Sequence, residues 1–263
     1  MRVVTNEAHI SRYRRISHIL FFVSLAGMAA GFFYTWTADP ATSTQISCFL
    51  LPALLFMTLI SVRMANTWIR EPRPERVLEE SLKGLGRRYT LFQHVLPAPH
   101  VLVGPEGVFT VTPQWHERTY RVSGNKWSGD RGLLARITGY MRQDLLGNPF
   151  NEAMYHAQEM QKLVDKIAPD EGIEVQPLVV FTSPKVTLEI EDPIIPVLYA
   201  DPKRKPSLRS YLRDLKGQER PTLSEAHLDE IDRLYGLVTR QELEAATGGA
   251  GLPLEEDDAD DEE

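Results

Sequence analysis

Two apolar runs near the start of the chain constrain its fold more than anything that follows. Residues 16–36 (ISHILFFVSLAGMAAGFFYTW) contain no Asp, Glu, Lys or Arg. As a helix such a run covers ~31 Å, about the thickness of a bilayer's hydrocarbon core. A second run, residues 46–62, is short for a span. It reaches Trp68 if Arg63 turns its charged head toward the lipid headgroups. Pro52 falls near the start of that helix, where few backbone N–H bonds are lost. Tyr34, Trp36 and Trp68 stand where interfacial aromatics are expected. The spacing therefore predicts spans over 16–36 and 46–68.

Charge orients the pair. Arg12, Arg14 and Arg15 precede the first run, and Arg63, Arg70, Arg73 and Arg76 follow the second. The residues between them carry one charge, Asp39, and it is negative. The positive-inside rule then puts both chain ends in the cytoplasm, with residues 1–15 as a cytoplasmic N-terminus of a multi-pass protein of the cell membrane. A cleaved signal peptide is the competing reading, since a basic start and small residues such as Ala26 and Ala29 are present. The first run is too long for a signal's apolar core, and a second follows directly. A buried soluble hairpin would need a large core to cover both.

Net charge is −7, but residues 255–263 (EEDDADDEE) hold eight acidic groups and leave +1 for the rest. A near-neutral body offers no broad basic field for phosphates, which disfavours nucleic acid as a partner. The single cysteine, Cys48, can form no intramolecular disulfide, and no Cys/His zinc spacing is present. The tail, residues 241–263, reads as disordered.

Between them, residues 75–240 read as one α/β domain with a mixed sheet flanked by helices. Residues 75–85 place Val77, Leu78, Leu82 and Leu85 on one helical face, with Gly86 as the stop. A strand is expected over 89–96. A hairpin follows, with strands at 101–103 and 108–112 around Gly104-Pro105-Glu106-Gly107. Tyr120 to Val122 reads as a further strand, with Gly124-Asn125-Lys126 as a turn, and 133–146 as an irregular helix. Asn148-Pro149 opens a helix with Ala153, Ala157, Met160, Val164 and Ile167 on its apolar stripe. Strands are expected over 175–181 and 194–199, and helices over 205–215 and 222–238. Thr222 and Glu225 look like the capping box of the last helix, with Leu228, Ile231 and Leu234 along one side.

Four phrases in this order resemble the nuclease-related domain (NERD) family, which has a restriction-endonuclease-like fold. They are Glu75-Arg76-Val77 at the first helix, the hairpin from His100 to Phe109, Asn148-Pro149 followed by Ala153, and Val179 to Pro184. The resemblance covers residues 75–199 and implies a metal-dependent nuclease ancestry. In the family an Asp opens the hairpin's first strand and a Glu-x-Lys pattern ends the second. The matching positions here are Pro99, Thr112 and Gln114. Mg²⁺ needs oxygen ligands, preferably charged, and a lysine helps to activate water. Pro99 supplies no side-chain oxygen, Thr112 only a neutral hydroxyl, and Gln114 no cation, while Pro113 is expected to break the strand's hydrogen bonding.

The resemblance therefore implies a scaffold without its chemistry: a membrane-anchored, catalytically inactive binding or structural module with no cofactor and a protein partner. The alternative is a membrane-tethered nuclease whose metal site has migrated to Glu75, His100 and Glu152, with Mg²⁺ as its cofactor. The plainer reading of those residues makes His100 part of the scaffold, Glu106 a turn residue and Glu152 a first-turn acid favoured by the helix dipole. Self-association at the membrane is a third use for such a domain. Lys203-Arg204-Lys205 reads as a solvated basic loop, and Glu117, Arg118 and Arg121 as solvated surface.

Overall fold

A computed structural model of the chain describes residues 1–37, 39–129, 148–218 and 220–237. The helix expected over 133–146 and the acidic tail lie outside these residues. The chain opens with a strand, β1 (Arg2–Thr5), that the sequence did not suggest. Two long helices follow, α1 (Glu7–Thr37) and α2 (Pro40–Trp68). Both are long and apolar enough to cross a bilayer. They pack on each other through small residues: buried Ser17, Ser24 and Ser61, and Gly27 and Gly31 against Leu54. A Cβ at Gly27 would lie 3.0 Å from the Leu54 side chain. Close approach through small residues is how helices associate in lipid.

Their outer faces stay bare, with Phe22, Phe32, Phe33, Trp36, Phe49 and Phe56 all more than 60 % exposed. A water-soluble surface rarely presents so large a contiguous apolar area. The buried soluble hairpin weighed from the sequence is therefore not what these helices form.

After α2 comes α3 (Pro74–Ser81), which buries Leu78, as Leu82 just beyond it is buried too. It stops earlier than expected, at cap residue Leu82, and Gly84 rather than Gly86 takes the left-handed conformation, with φ 84°. The strands β2 (Thr90–Gln93), β3 (His100–Gly104) and β4 (Gly107–Gln114) run antiparallel. Then come β5 (Thr119–Gly124), β6 (Lys126–Gly129), α4 (Pro149–Ile167), β7 (Val175–Phe181), β8 (Thr187–Pro193) and β9 (Val197–Tyr199). Two short helices close the described chain, α5 (Leu208–Leu215) and α6 (Glu225–Leu234).

The main sheet has the order β1-β2-β3-β4-β7-β9, and a smaller one has the order β6-β5-β8. β7 lies parallel to β4 and to β9, so the main sheet is mixed, as expected. Alternation along β2, β3 and β4 sends Phe92, Val101, Val103 and Val108 to one face and Leu91, Leu102, Phe109 and Val111 to the other. The first set packs with Met160 and Val164 of α4 and Ile231 of α6, the second with Leu78 of α3 and Leu212 of α5. The result is a sheet covered by helices on both faces. Strand β8 has an exposed, alternating pattern and was not expected.

Three local expectations change. Pro113 does not interrupt β4: it lies past Thr110, the last β4 residue paired with β3, and the parallel ladder to β7 continues through it opposite Val180. An imino acid is tolerated where one flank of the strand is open. The last helix is capped by Ser224 with His227, not by Thr222 with Glu225; Thr222 instead donates its hydroxyl to the Gly104 carbonyl at 2.7 Å. Leu234 at its end is 52 % exposed and does not continue the apolar side of Leu228 and Ile231.

Gly104 carries the tightest backbone approach in the hairpin. A Cβ there would sit 2.5 Å from the Tyr89 ring. That ring is held by its hydroxyl, which donates to buried Glu106 at 2.8 Å. Glu106 is thus a buried turn residue with a half-buried partner. Gly104→Ala must displace Tyr89 and leave the Glu106 carboxylate without its donor. Overpacking of this kind costs about 1–3 kcal/mol; the thermal midpoint of the variant checks it, and an unchanged midpoint would show that Tyr89 gives way freely.

Candidate functional site

The end of α2, the base of α1 and one end of the main sheet enclose a cleft of ≈ 950 Å³. Its floor is a group of three side chains, Glu75, His94 and His100, whose ligand atoms all lie within 4.8 Å of one another. Each comes from a different element. Glu75 is in the first turn of α3, where the helix N-terminus favours a carboxylate. Gln93 fixes that turn by donating from Nε2 to the Glu75 backbone carbonyl at 3.1 Å. His100 opens β3, and His94 follows the last residue of β2.

The strand register explains how the two imidazoles meet. Gln93 pairs with His100, so His94 would ordinarily point to the opposite face from His100. His94 instead has φ 56°, a left-handed conformation that breaks the alternation. The turn is closed by its N–H donating to the Pro99 carbonyl at 2.6 Å. The two rings then lie 4.9 Å apart, edge to face. Strained backbone at a non-glycine residue persists only where its surroundings over-determine it.

The electrostatics of the group follow from its burial. His100 is 3 % exposed, and burial, helped by the neighbouring His94, lowers its pKa to about 3, so the ring is neutral. Its Nδ1 has no hydrogen-bond partner. Burial of Glu75 opposes ionisation, but the hydrogen bond from His94 Nε2 at 2.8 Å, a backbone bond and the nearby imidazoles outweigh it. The carboxyl is left below the usual range, and its second oxygen, Oε2, is buried without a partner.

A roof of aromatic rings from the helical pair covers this floor. Trp68 at the end of α2 lies 5.3 Å from His94 and 5.0 Å from Tyr13 of α1. His9 of α1 stacks on His94 at 5.8 Å. Arg70 sits over the Trp115 ring at 5.5 Å. The long helices are thereby seated on the cleft rather than joined to the domain by a loose linker.

The positions singled out in the sequence fall around the same cleft. Pro99 and Gln114 line it. Gln114 Nε2 donates to Glu152 Oε2 at 3.0 Å, and the Thr112 hydroxyl meets His156 Nδ1 at 3.3 Å. Burial lowers the His156 pKa, with Glu152 working against the shift. Of the migrated set, Glu75 and His100 come together, while Glu152 lies in the cleft but is engaged with Gln114. His100 is buried, and its Nδ1 is left without a hydrogen-bond partner. His94, His156 and Trp68 were not assigned to any site from the sequence. Only the spacing of His94 and His100 around one tight strand turn could have hinted at the first.

Elsewhere, Lys203 and Lys205 are exposed, and half-buried Arg204 stacks over the Tyr199 ring at 3.9 Å and donates to the Pro184 carbonyl at 3.1 Å. Arg121 pairs with Glu189 and Glu117 with Lys185 at the surface, as expected of solvated groups. Comparisons with protein-family models, with curated proteins and with solved structures return no match to this chain.

Proposed function

We propose that this chain is a membrane-anchored, nuclease-related (NERD-like) protein whose cleft serves as a binding module for a protein partner at the cytoplasmic face and does not cut nucleic acid. The carrying observation is the state of the three positions at which the resemblance calls for Asp and Glu-x-Lys. Pro99, Thr112 and Gln114 bear no charge, and the last two hydrogen-bond to His156 and Glu152. A carboxylate tied up by a neutral amide is a poor start for a Mg²⁺ site, which relies on anionic oxygens. The restriction-endonuclease-like fold belongs to the same reading, supported by the mixed sheet with helices on both faces. Anchoring by two spans is supported by the bare apolar faces of α1 and α2, and the cytoplasmic placement by the arginines that flank them.

The test is cleavage of DNA and RNA by the full chain in detergent with Mg²⁺ or Mn²⁺. A fragment of residues 75–247 is unsuitable, since it lacks β1 and exposes the edge of β2. No turnover above background is expected. Metal-dependent turnover abolished by Glu152→Ala would overturn the binding-module reading. The second reading, a nuclease with a migrated site, is favoured by one observation, the meeting of Glu75 and His100, and the same assay decides it.

A further inference from the structure

We infer that Glu75, His94 and His100 form a binding site for one divalent transition-metal ion of the Zn²⁺ class. Three independent observations converge on it. A carboxylate oxygen and one ring nitrogen of each histidine already lie within 4.8 Å of one another. In a tetrahedral site with bonds of about 2.0–2.1 Å the ligand atoms stand roughly 3.3–3.4 Å apart, so side-chain rotations of an ångström or so complete it. Two polar atoms of the group, His100 Nδ1 and Glu75 Oε2, are buried without a hydrogen-bond partner in residues that are 3 % and 8 % exposed. Orphaned buried polar atoms are costly unless something satisfies them, and a metal ion does so. Finally, the left-handed backbone at His94 serves to turn its ring toward His100. Strain of that kind is spent where a side chain must be aimed.

The donor set selects the ion. Two imidazoles with one carboxylate suit Zn²⁺, Co²⁺ or Ni²⁺, whereas Mg²⁺ and Ca²⁺ require oxygen ligands. Three protein ligands leave one position for water, and all three line the cleft, so that position is reached from the solvent-filled side. The Gln93 bond to the Glu75 backbone and the stacking of His9 and Trp68 on His94 hold the ligands in place from outside. Such an ion would clasp the first turn of α3 to the β2–β3 turn, directly under the base of the long helices.

This inference goes beyond the function proposed above and stands apart from it. Zn²⁺ binding without nucleic-acid cleavage keeps both, while Mg²⁺-dependent cleavage overturns the functional reading alone. The experiment uses the full chain in detergent, with any affinity tag removed, stripped with EDTA and reloaded with Zn²⁺ or Co²⁺. Expected are one ion per chain, a tetrahedral Co²⁺ absorption spectrum without sulfur charge transfer, and a thermal midpoint raised by Zn²⁺ but not by the same concentration of Mg²⁺. Glu75→Gln and His94→Ala are each expected to weaken binding by more than the about 10–100-fold that loss of an outer-shell partner costs. Stoichiometric binding that survives both substitutions, or no binding by the reloaded wild type, overturns the site. Should either variant melt early without metal, the wild-type stoichiometry and Co²⁺ spectrum decide alone.

Discussion

Arg2→Ala is expected to destabilise the α/β domain by about 3–5 kcal/mol, the range for removing one partner of a buried ion pair. Arg2 lies on β1 and donates to Asp232 Oδ2 at 2.6 Å, across 230 residues of sequence. The Asp232 side chain is fully buried, and its other oxygen has no hydrogen-bond partner. Without the guanidinium the carboxylate must either remain charged in a poorly solvating interior or take up a proton, and both are unfavourable. The loss extends beyond one contact, because Arg2 also anchors the edge strand. β1 pairs in parallel with β2 from Arg2↔Thr90 to Thr5↔Gln93, and Thr5 donates its hydroxyl to Gln93. Gln93 in turn holds the first turn of α3, so loosening β1 reaches Glu75 in two steps.

Pulse proteolysis of the detergent-solubilised chain across a urea series measures the change. Replacing both partners by apolar residues of similar size, Arg2→Met with Asp232→Leu, is expected to recover most of the loss. A single-variant effect below about 1 kcal/mol, the usual ceiling for an exposed pair, would show that Asp232 is adequately served without Arg2.

The parts of the fold legible in the sequence were those that a local pattern specifies. The stripe Ala153, Ala157, Met160, Val164 and Ile167 is buried throughout, because a helix packed on a sheet needs an apolar residue every three or four positions. The strand Val175–Phe181 was readable from its apolar stretch Leu178 to Phe181, which is buried because the strand is interior, flanked by β4 and β9. What escaped was set by partners distant in sequence. Arg2-Val3-Val4-Thr5 is rich in β-branched residues but too short to announce a strand alone, and its place depends on an edge eighty-eight residues away. Strand β8 escaped because its exposed alternation resembles a polar loop until β5 lies beside it.

The candidate site divides in the same way. Glu75, His100 and Glu152 could be singled out as cleft-bound because the family resemblance orders the elements that carry them. His94 could not, since period-two alternation assigns it to the wrong face. Only its φ of 56° brings it to His100. The roof of Trp68, Tyr13 and His9 was equally hidden, because each is an ordinary interfacial residue on its own helix.

Asp39→Cys in a Cys48→Ser background is expected to react with a membrane-impermeant maleimide on intact cells, while a cysteine at Asn6 is expected to react only after lysis. The argument rests on strand pairing as well as on charge. β1 precedes both long helices, and β2 follows them, yet the two are hydrogen-bonded neighbours in one sheet. They therefore occupy the same side of any membrane the helices cross, so α1 and α2 must go out and come back. A single crossing would place β1 and its parent sheet in different compartments. By the positive-inside rule, Arg12, Arg14 and Arg15 before α1's apolar run and Arg70, Arg73 and Arg76 after α2 are expected to hold that side in the cytoplasm. The connection holding Asp39, exposed and free of positive charge, is then expected outside. Cys48 itself is a poorer reporter, since it is the first residue of the second candidate span. Labelling of the cysteine at Asn6 on intact cells, with that at Asp39 reached only after lysis, would reverse the orientation and leave the pairing argument intact. Labelling of the two on the same side under every condition, with no dependence on lysis, would mean that the helices do not cross at all.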